Sequence, residues 1–295
     1  MGHHHGHDHD HSVSNIKVAF FLNLGFTLIE IIGGIYTNSL AILSDALHDL
    51  GDSLSLGLSW YFQKLSGRKR DQSFSYGYKR FSLMGAVINS IVLIIGSIFI
   101  IREAIPRIIQ PESVNSQGML ILAIFGILVN GAAVLKLRKG DSINERVVSL
   151  HLLEDVLGWV AVLIASIVMI FTDVPVLDPI LSLLIALYVL FNVYKNLKTS
   201  LKIILQGIPE NANINGIKTK LESIEDILNV HDIHLWSLDG HYHILTVHLV
   251  VPGTKSMDAL VSIKQEVKSC LSKENIKHVT IEFETEEEYC ELEDC

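Results

Sequence analysis

Three cysteines, Cys270, Cys290 and Cys295, are all that the 295-residue chain holds. They are too few and too clustered for a disulfide framework, so a reducing compartment is expected. Positive charge is scarce too: 23 Lys and Arg stand against 32 Asp and Glu, a formal net charge of -9. That balance argues against a nucleic-acid partner, because basic side chains supply most of the attraction to phosphate backbones. The first residues lack the basic-then-apolar pattern of a secretory leader. They read MGHHHGHDHDHS, also without an uninterrupted six-His block. Interleaved Asp and Gly favour a native metal-collecting tail over a purification tag, with His3, His4, His5, His7, His9 and His11 holding metal weakly in a disordered segment, residues 1–15.

Apolar residues are abundant instead: 49% of the chain is hydrophobic and the mean hydropathy is +0.39, which puts a membrane reading first. Six apolar stretches, 16–37, 40–63, 80–104, 117–137, 147–171 and 178–201, each approach the ~20 residues that cross a bilayer. The loops between them divide by charge. Lys64, Arg68, Lys69, Arg70, Lys79 and Arg80 follow the second stretch, Lys136, Arg138, Lys139 and Arg146 the fourth, and Lys195, Lys198 and Lys202 the sixth. Only Arg102 and Arg107, near Pro106 and Pro111, fall on the other side. The positive-inside rule then places both termini in the cytoplasm of a multi-pass protein. After the breaker QGIPENAN the composition becomes that of a soluble domain. Its pattern predicts helix, strand, strand, helix, strand. The expected fold is a six-helix transmembrane bundle over 16–205, a small cytoplasmic α+β domain (αββαβ, ferredoxin or metallochaperone-like) over 206–286, and an acidic tail over 287–295.

The second stretch contains SDALHDLGD, with Asp45, His48, Asp49 and Asp52 inside eight positions. At 3.6 residues per turn all four fall within an arc of roughly 100°. Facing lipid, three Asp and a His would cost on the order of 10 kcal/mol, so they must face a cavity, partners or a metal. The fifth stretch carries His151 and Asp155, again i and i+4, with Glu154 beside them. Two helices each presenting His-x-x-x-Asp can supply two imidazoles and two carboxylates, a set that suits tetrahedral Zn²⁺. Asp45 and Asp49 could orient the histidines or line an access path. Asn23, Glu30, Asn89 and Asn130 read as hydrogen-bonding glue between helices.

In the soluble part, Asp239-Gly240 is a strong hairpin signal. A two-residue type I′ turn there pairs Leu238 with His241 and sets His231 opposite His248, within metal-sharing distance. The same register gathers His234, His241 and His243 on the other face; a longer loop would shift it. In the third strand His278, Thr280, Glu282 and Glu284 alternate with Val279, Ile281 and Phe283, so the polar members share a face. Cys270 falls on the second helix as core.

NSLAILSDALHDLGD, YGYKRFSLMGAVIN, HLLEDVLGW and VHDIHLWSL, in that order, resemble the cation diffusion facilitators, specifically their bacterial zinc efflux branch. The resemblance covers nearly the whole chain beyond the tail. It implies a homodimer in the bacterial inner membrane that exchanges cytoplasmic Zn²⁺ for protons, with the transported ion held by His48, Asp52, His151 and Asp155. Some relatives use Asp-x-x-x-Asp in the second span, a spacing present here at Asp45 and Asp49; His48 and Asp52 are preferred because their spacing repeats in the fifth span. The resemblance also implies a cytoplasmic zinc site at His231, His248 and Glu284. Cys290 and Cys295 resemble terminal cysteines that some relatives lend to a partner's site, although CELEDC is wider than a C-x₂-C knuckle and reads equally as an unstructured tail.

Three functions follow from these residues. A proton-coupled exporter needs neutral imidazole and ionised carboxylate, for which metal and protons compete. A membrane metallohydrolase would need Glu154 as its base, and His-Glu-x-x-His is missing. A sensor or buffer would use the tail and soluble domain, and an anchor needs no charged stripe. Two histidines favour Zn²⁺ over Mn²⁺ or Mg²⁺ and leave Cd²⁺, Co²⁺ and Ni²⁺ open.

Overall fold

Six long helices open the chain: α1 (Asp8–Thr37), α2 (Leu40–Ser66), α3 (Phe81–Ile109), α4 (Ser116–Leu137), α5 (Ile143–Thr172) and α6 (Leu177–Ile204). In this computed structural model the backbone is described for residues 8–137, 143–288 and 290, and the side chains for 20, 21, 23–135, 152–288 and 290. His3, His4, His5, His7 and Cys295 lie outside the described residues, and of His9, His11 and His151 only the helical backbone is described. By their contacts the residues form two units. One runs to Tyr61 and resumes over Gly85–Leu197; the other joins Phe62–Met84 to the chain from Lys198.

α1 begins eight residues ahead of the expected span, so 8–15 are helical rather than disordered; that stretch contains neither Gly nor Pro to stop a helix. Likewise α3 runs through Pro106 to Ile109, so Arg102 and Arg107 stand on a helix and not in a loop. Pro106 removes one amide donor, the one that would reach the Arg102 carbonyl, and the helix continues for only three residues beyond it. α3, α4, α5 and α6 contain membrane-length apolar windows over Phe81–Ile109, Ser116–Leu135, Leu152–Thr172 and Leu177–Ile204. α2 matches them in length and is interrupted by its carboxylates. Ile95, Phe99, Ile121, Leu128, Leu187 and Phe191 turn outward, as side chains facing hydrocarbon must.

Within this first unit, Phe26, Ile42, Met119 and Val162 surround the buried Trp159. A Cβ on Gly126 would stand 2.3 Å from that indole ring, so only glycine lets α4 lie this close to α5. At one end, Asp178 of α6 is fully buried. Its carboxylate accepts from Ser39 Oγ at 2.5 Å and from the amide of Leu40 at 2.8 Å. The α6 carboxylate thereby caps α2 and meets the positive end of its dipole. Arg107 donates to the Asn38 carbonyl at 3.2 Å and pairs with Glu112 at 3.3 Å. This network accounts for one of the two cations on the sparsely charged side.

The second unit carries α7 (Ile214–Glu222), β1 (Asn229–Ser237), β2 (His243–Val251), α8 (Met257–Ser272) and β3 (Ile276–Thr285), the expected αββαβ order. Asn213 caps α7 and Ser256 caps α8 through side-chain oxygens that accept the Gly216 and Ala259 amides. The sheet order is β1-β2-β3, with β2 antiparallel to β1 and parallel to β3. Ile217 and Leu221 of α7 and Ile263, Val267 and Leu271 of α8 recur every four residues and pack on Leu245, Val247, Leu249 and Val251, one face of β2. Cys270 packs against this core.

The hairpin is not the two-residue turn expected. Asp239 accepts the amides of His241 and Tyr242 at 2.9 and 2.7 Å, and Leu238 pairs with Tyr242, so the loop is Asp239-Gly240-His241. That extra residue shifts the pairing to His234↔Thr246. A bulge between His231 and His234 shifts it back, restoring His231↔His248. The bulge also lets Val230 and Leu235, an odd number of residues apart, face one core. Asp232 takes the strain with φ +46, a left-handed conformation that Asp adopts more readily than most residues.

Asp178→Ala should destabilise the purified protein by about 2 kcal/mol, the combined effect of losing a cap and orphaning buried donors. Thermal unfolding in detergent measures it; an unshifted midpoint would remove Asp178 from this role.

Candidate metal centres

The bulge on β1 builds a site on the sheet face opposite the helices. His231 and His248 lie across the strands with ring centroids 5.3 Å apart. Glu284, 6% exposed, reaches both: Oε2 is 3.1 Å from His231 Nε2 and Oε1 is 2.7 Å from His248 Nδ1. Cys290 Sγ stands 3.7 Å from His248 Nδ1. One ligand atom from each of these four residues falls within 4.8 Å of the others, and among the described residues this is the only such group. Tetrahedral Zn²⁺ with bonds of about 2.0 to 2.3 Å requires ligand atoms a little under ~4 Å apart, so small side-chain rotations would close the set. Both ring nitrogens of His231 are buried without a hydrogen bond of acceptable geometry, an arrangement costly for an imidazole unless a metal takes one nitrogen. The residues present therefore fit a zinc ion.

Asp232 was not foreseen. In a regular strand it would face away from His231. At the bulge its Oδ2 lies 3.3 Å from His248 Nε2 and its Oδ1 2.8 Å from His234 Nε2. Its position beside the second nitrogen of His248 is that of a carboxylate that orients a ligating imidazole. Glu282 stands 3.4 Å from the same nitrogen but is largely exposed. The remaining histidines are dispersed. His234 is half exposed; His278 packs edge-on against Tyr76; His241 and His243 line a separate cavity. Burial holds the His243 imidazole below its ordinary value, against the attraction of Asp239. The expected grouping of His234, His241 and His243 fails because the three-residue loop takes His241 off the strand and its register shift pairs His234 with Thr246, on the opposite face from His243.

In the helical unit, α2, α5 and α6 line a half-open cavity of about 320 Å³. Asp45 and His48 enter from α2, Glu154 and Asp155 from α5, and Tyr188 from α6. A Cβ on Gly158 would meet Asp45 Oδ1 at 3.4 Å, so α5 passes directly over that carboxylate. Asp52, which does not line the cavity, has Oδ2 3.8 Å from His48 Nε2. Asp49, 4% exposed, turns its backbone carbonyl to Asn23 Nδ2 on α1 at 3.1 Å. Each i,i+4 pair of α2 thus contributes one member to the cavity. The His151 side chain lies outside the described residues.

Two of the four intramembrane polar groups act as interhelical glue: Asn23 donates to Ser53 Oγ at 3.0 Å and Asn89 to Ser55 Oγ at 2.7 Å. The other two are more deeply placed. Glu30 is 1% exposed and stands by the Asp49 and Asp45 carboxylates, and the Asn130 amide nitrogen is buried with no hydrogen-bond partner among the described residues. Their sequence positions show only that they are polar; what each meets depends on helix rotation.

Comparison with known proteins agrees with this architecture. The family model described as "Cation efflux transmembrane domain" matches residues 16–205, and "Cation efflux protein, cytoplasmic domain" matches 209–286. The chain belongs to the cation efflux family, the cation diffusion facilitators. It is 38% identical to the "Cadmium, cobalt and zinc/H(+)-K(+) antiporter" of Bacillus subtilis over 97% of this chain and 93% of that protein. It is 33% identical to "Zinc transporter ZitB" of Pectobacterium atrosepticum, over 96% and 89%. With "Metal cation efflux system protein CzcD" of Cupriavidus metallidurans it shares 32% identity, over 96% and 90%.

Asp232→Asn keeps the bulge and removes the charge beside His248. It should weaken zinc binding by about 10- to 100-fold in the full-length protein, measured by competition with a chelating dye. Unchanged affinity would remove Asp232 from the site.

Proposed function

We propose that this chain is a proton-coupled antiporter that moves Zn²⁺ out of the cytoplasm. The observation that carries the reading is the meeting of Asp45 and His48 of α2 with Asp155 of α5 in one cavity within the helical unit. The named activities of the relatives point the same way. His48, Asp52, His151 and Asp155 are the ligands of the transported ion. Asp45, which lines the same cavity, is the strongest additional candidate to share it; Asp49 and Glu154 flank the path. All six long helices span the bacterial inner membrane, with both termini in the cytoplasm.

Coupling follows from ligand chemistry. Zinc binds neutral imidazole and ionised carboxylate, so each proton taken up by His48 or Asp155 opposes the metal. A histidine titrates near neutrality, where modest differences between the two faces of the membrane decide which side releases metal. Alternating access presents the cavity to the cytoplasm for loading and to the far side, where protons displace the ion. In the cytoplasmic domain, His231, His248, Glu284 and Cys290 would hold a resident zinc, with Asp232 orienting His248. That ion would tie all three strands to the C-terminal segment and supports a homodimer. Cd²⁺, Co²⁺ and Ni²⁺ share enough ligand preference to compete.

Zinc-driven proton flux in sealed proteoliposomes should fall to background in His48→Ala and in Asp155→Ala, with circular dichroism showing the helices intact. Undiminished flux in both variants would contradict the assignment.

A further inference from the structure

A second unit of charge lies far along the sequence from the metal ligands of α5. The segment between α2 and α3 holds Arg68, Lys69, Arg70 and Lys79 around a cavity of about 470 Å³ whose other wall includes Tyr242 and His278. The segment is folded. The Asp71 carboxylate accepts from the Ser73 amide at 2.8 Å, the Phe74 amide at 3.0 Å and the Tyr78 hydroxyl at 2.7 Å. These bonds, led by that of Tyr78, hold Asp71 below its ordinary carboxyl value. The rings of Phe74, Tyr78 and Phe81 contact one another, Phe74 edge-on to Phe81. Gly77 adopts φ +74, and a Cβ there would be strained and 3.1 Å from the Arg68 carbonyl, so the turn that brings Tyr76 against His278 needs glycine.

The charges of this pocket are poorly compensated. Lys79 lies 3.8 Å from Asp239 and over the Tyr242 ring at 4.8 Å. Asp71 is hydrogen-bonded within its own loop and offsets the Arg68 charge only weakly, as the last of the influences on its carboxyl. Among the described residues, Arg68, Lys69 and Arg70 have no carboxylate within ion-pairing distance. A zinc ion would be repelled here. Two guanidinium forks with two ammonium groups, beside hydroxyl-bearing aromatics, match a phosphate group in charge and in bidentate geometry.

We propose that this pocket binds a phosphate-bearing anion. A lipid headgroup and a free phosphate share that chemistry; the surroundings favour the headgroup. α2 carries Trp60 and Tyr61, both exposed, within two turns of the loop, and such residues settle at the membrane interface. Basic clusters directly beyond a membrane helix attract anionic lipid by about a factor of five per charge.

The test uses the full-length protein in detergent, titrated with phosphatidylglycerol or phosphatidylcholine and read by native mass spectrometry. The wild type should retain phosphatidylglycerol preferentially. Arg68→Gln/Lys69→Gln/Arg70→Gln should weaken that preference by tenfold or more, and Arg68→Lys/Arg70→Lys, equal in charge, by a smaller factor through lost fork geometry. Lys195→Gln/Lys198→Gln, which removes charge outside the pocket, should weaken it by a smaller factor than the triple-Gln variant. Inorganic phosphate that displaces the lipid would support the pocket with a soluble anion as an equal occupant; failure to displace it would support the headgroup. An unchanged preference in the triple-Gln variant, wild-type retention in the double-Lys variant, or an equal loss in Lys195→Gln/Lys198→Gln would overturn the proposal.

Discussion

Hydrocarbon does not solvate carboxylates, and the arrangement of the helical unit follows from that constraint. α2 carries three aspartates and a histidine where its neighbours carry Leu, Ile and Val. At roughly 3 kcal/mol for each exposed to lipid, these groups outweigh a large part of the net stability of an ordinary domain. The helix rotates them inward: Asp45 and Asp49 are 6% and 4% exposed, and His48 and Asp45 open into a cavity shared with α5 and α6. What the lipid rejects is thereby concentrated in one place, and a concentration of carboxylate and imidazole binds divalent metal and protons alike.

The C-terminal domain solves a related problem with a different device. Two histidines, a glutamate and a cysteine must converge on one sheet face while the other face remains apolar. Alternation along β2 and β3 achieves this for His248 and Glu284. β1 requires an irregularity, because Val230 and Leu235 must both reach the core. The bulge at Asp232 restores the parity and, in the same step, carries a carboxylate to His248. Fold repair and site construction are one structural event.

Much of this was legible beforehand, for physical reasons. Membrane-length apolar runs and an alternating strand pattern are strong, local signals, so the long helices and the αββαβ order could be read directly. The pairing of His231 with His248 was also expected, yet by a route that held only because two departures cancel: a three-residue loop shifts the register and the bulge reverses it. Asp232 was hidden by the assumption of regular alternation. The role of Asp178 was hidden because a cap supplied from another helix leaves no local trace. The same holds for Tyr76 and His278, which meet only after folding. Spacing sets His48/Asp52 against Asp45/Asp49; in the fold Asp45 and His48, one from each pair, line the cavity.

In the proposed function, burial of the stripe leads to competition between metal and protons and from there to export, and the central link is that both cations use the same ligands. Sealed proteoliposomes holding the wild-type protein, with zinc inside and out and an imposed pH difference, test it directly. The account predicts that zinc accumulates on the side of higher proton concentration and that the direction reverses with the gradient. Zinc movement indifferent to the imposed gradient would contradict it.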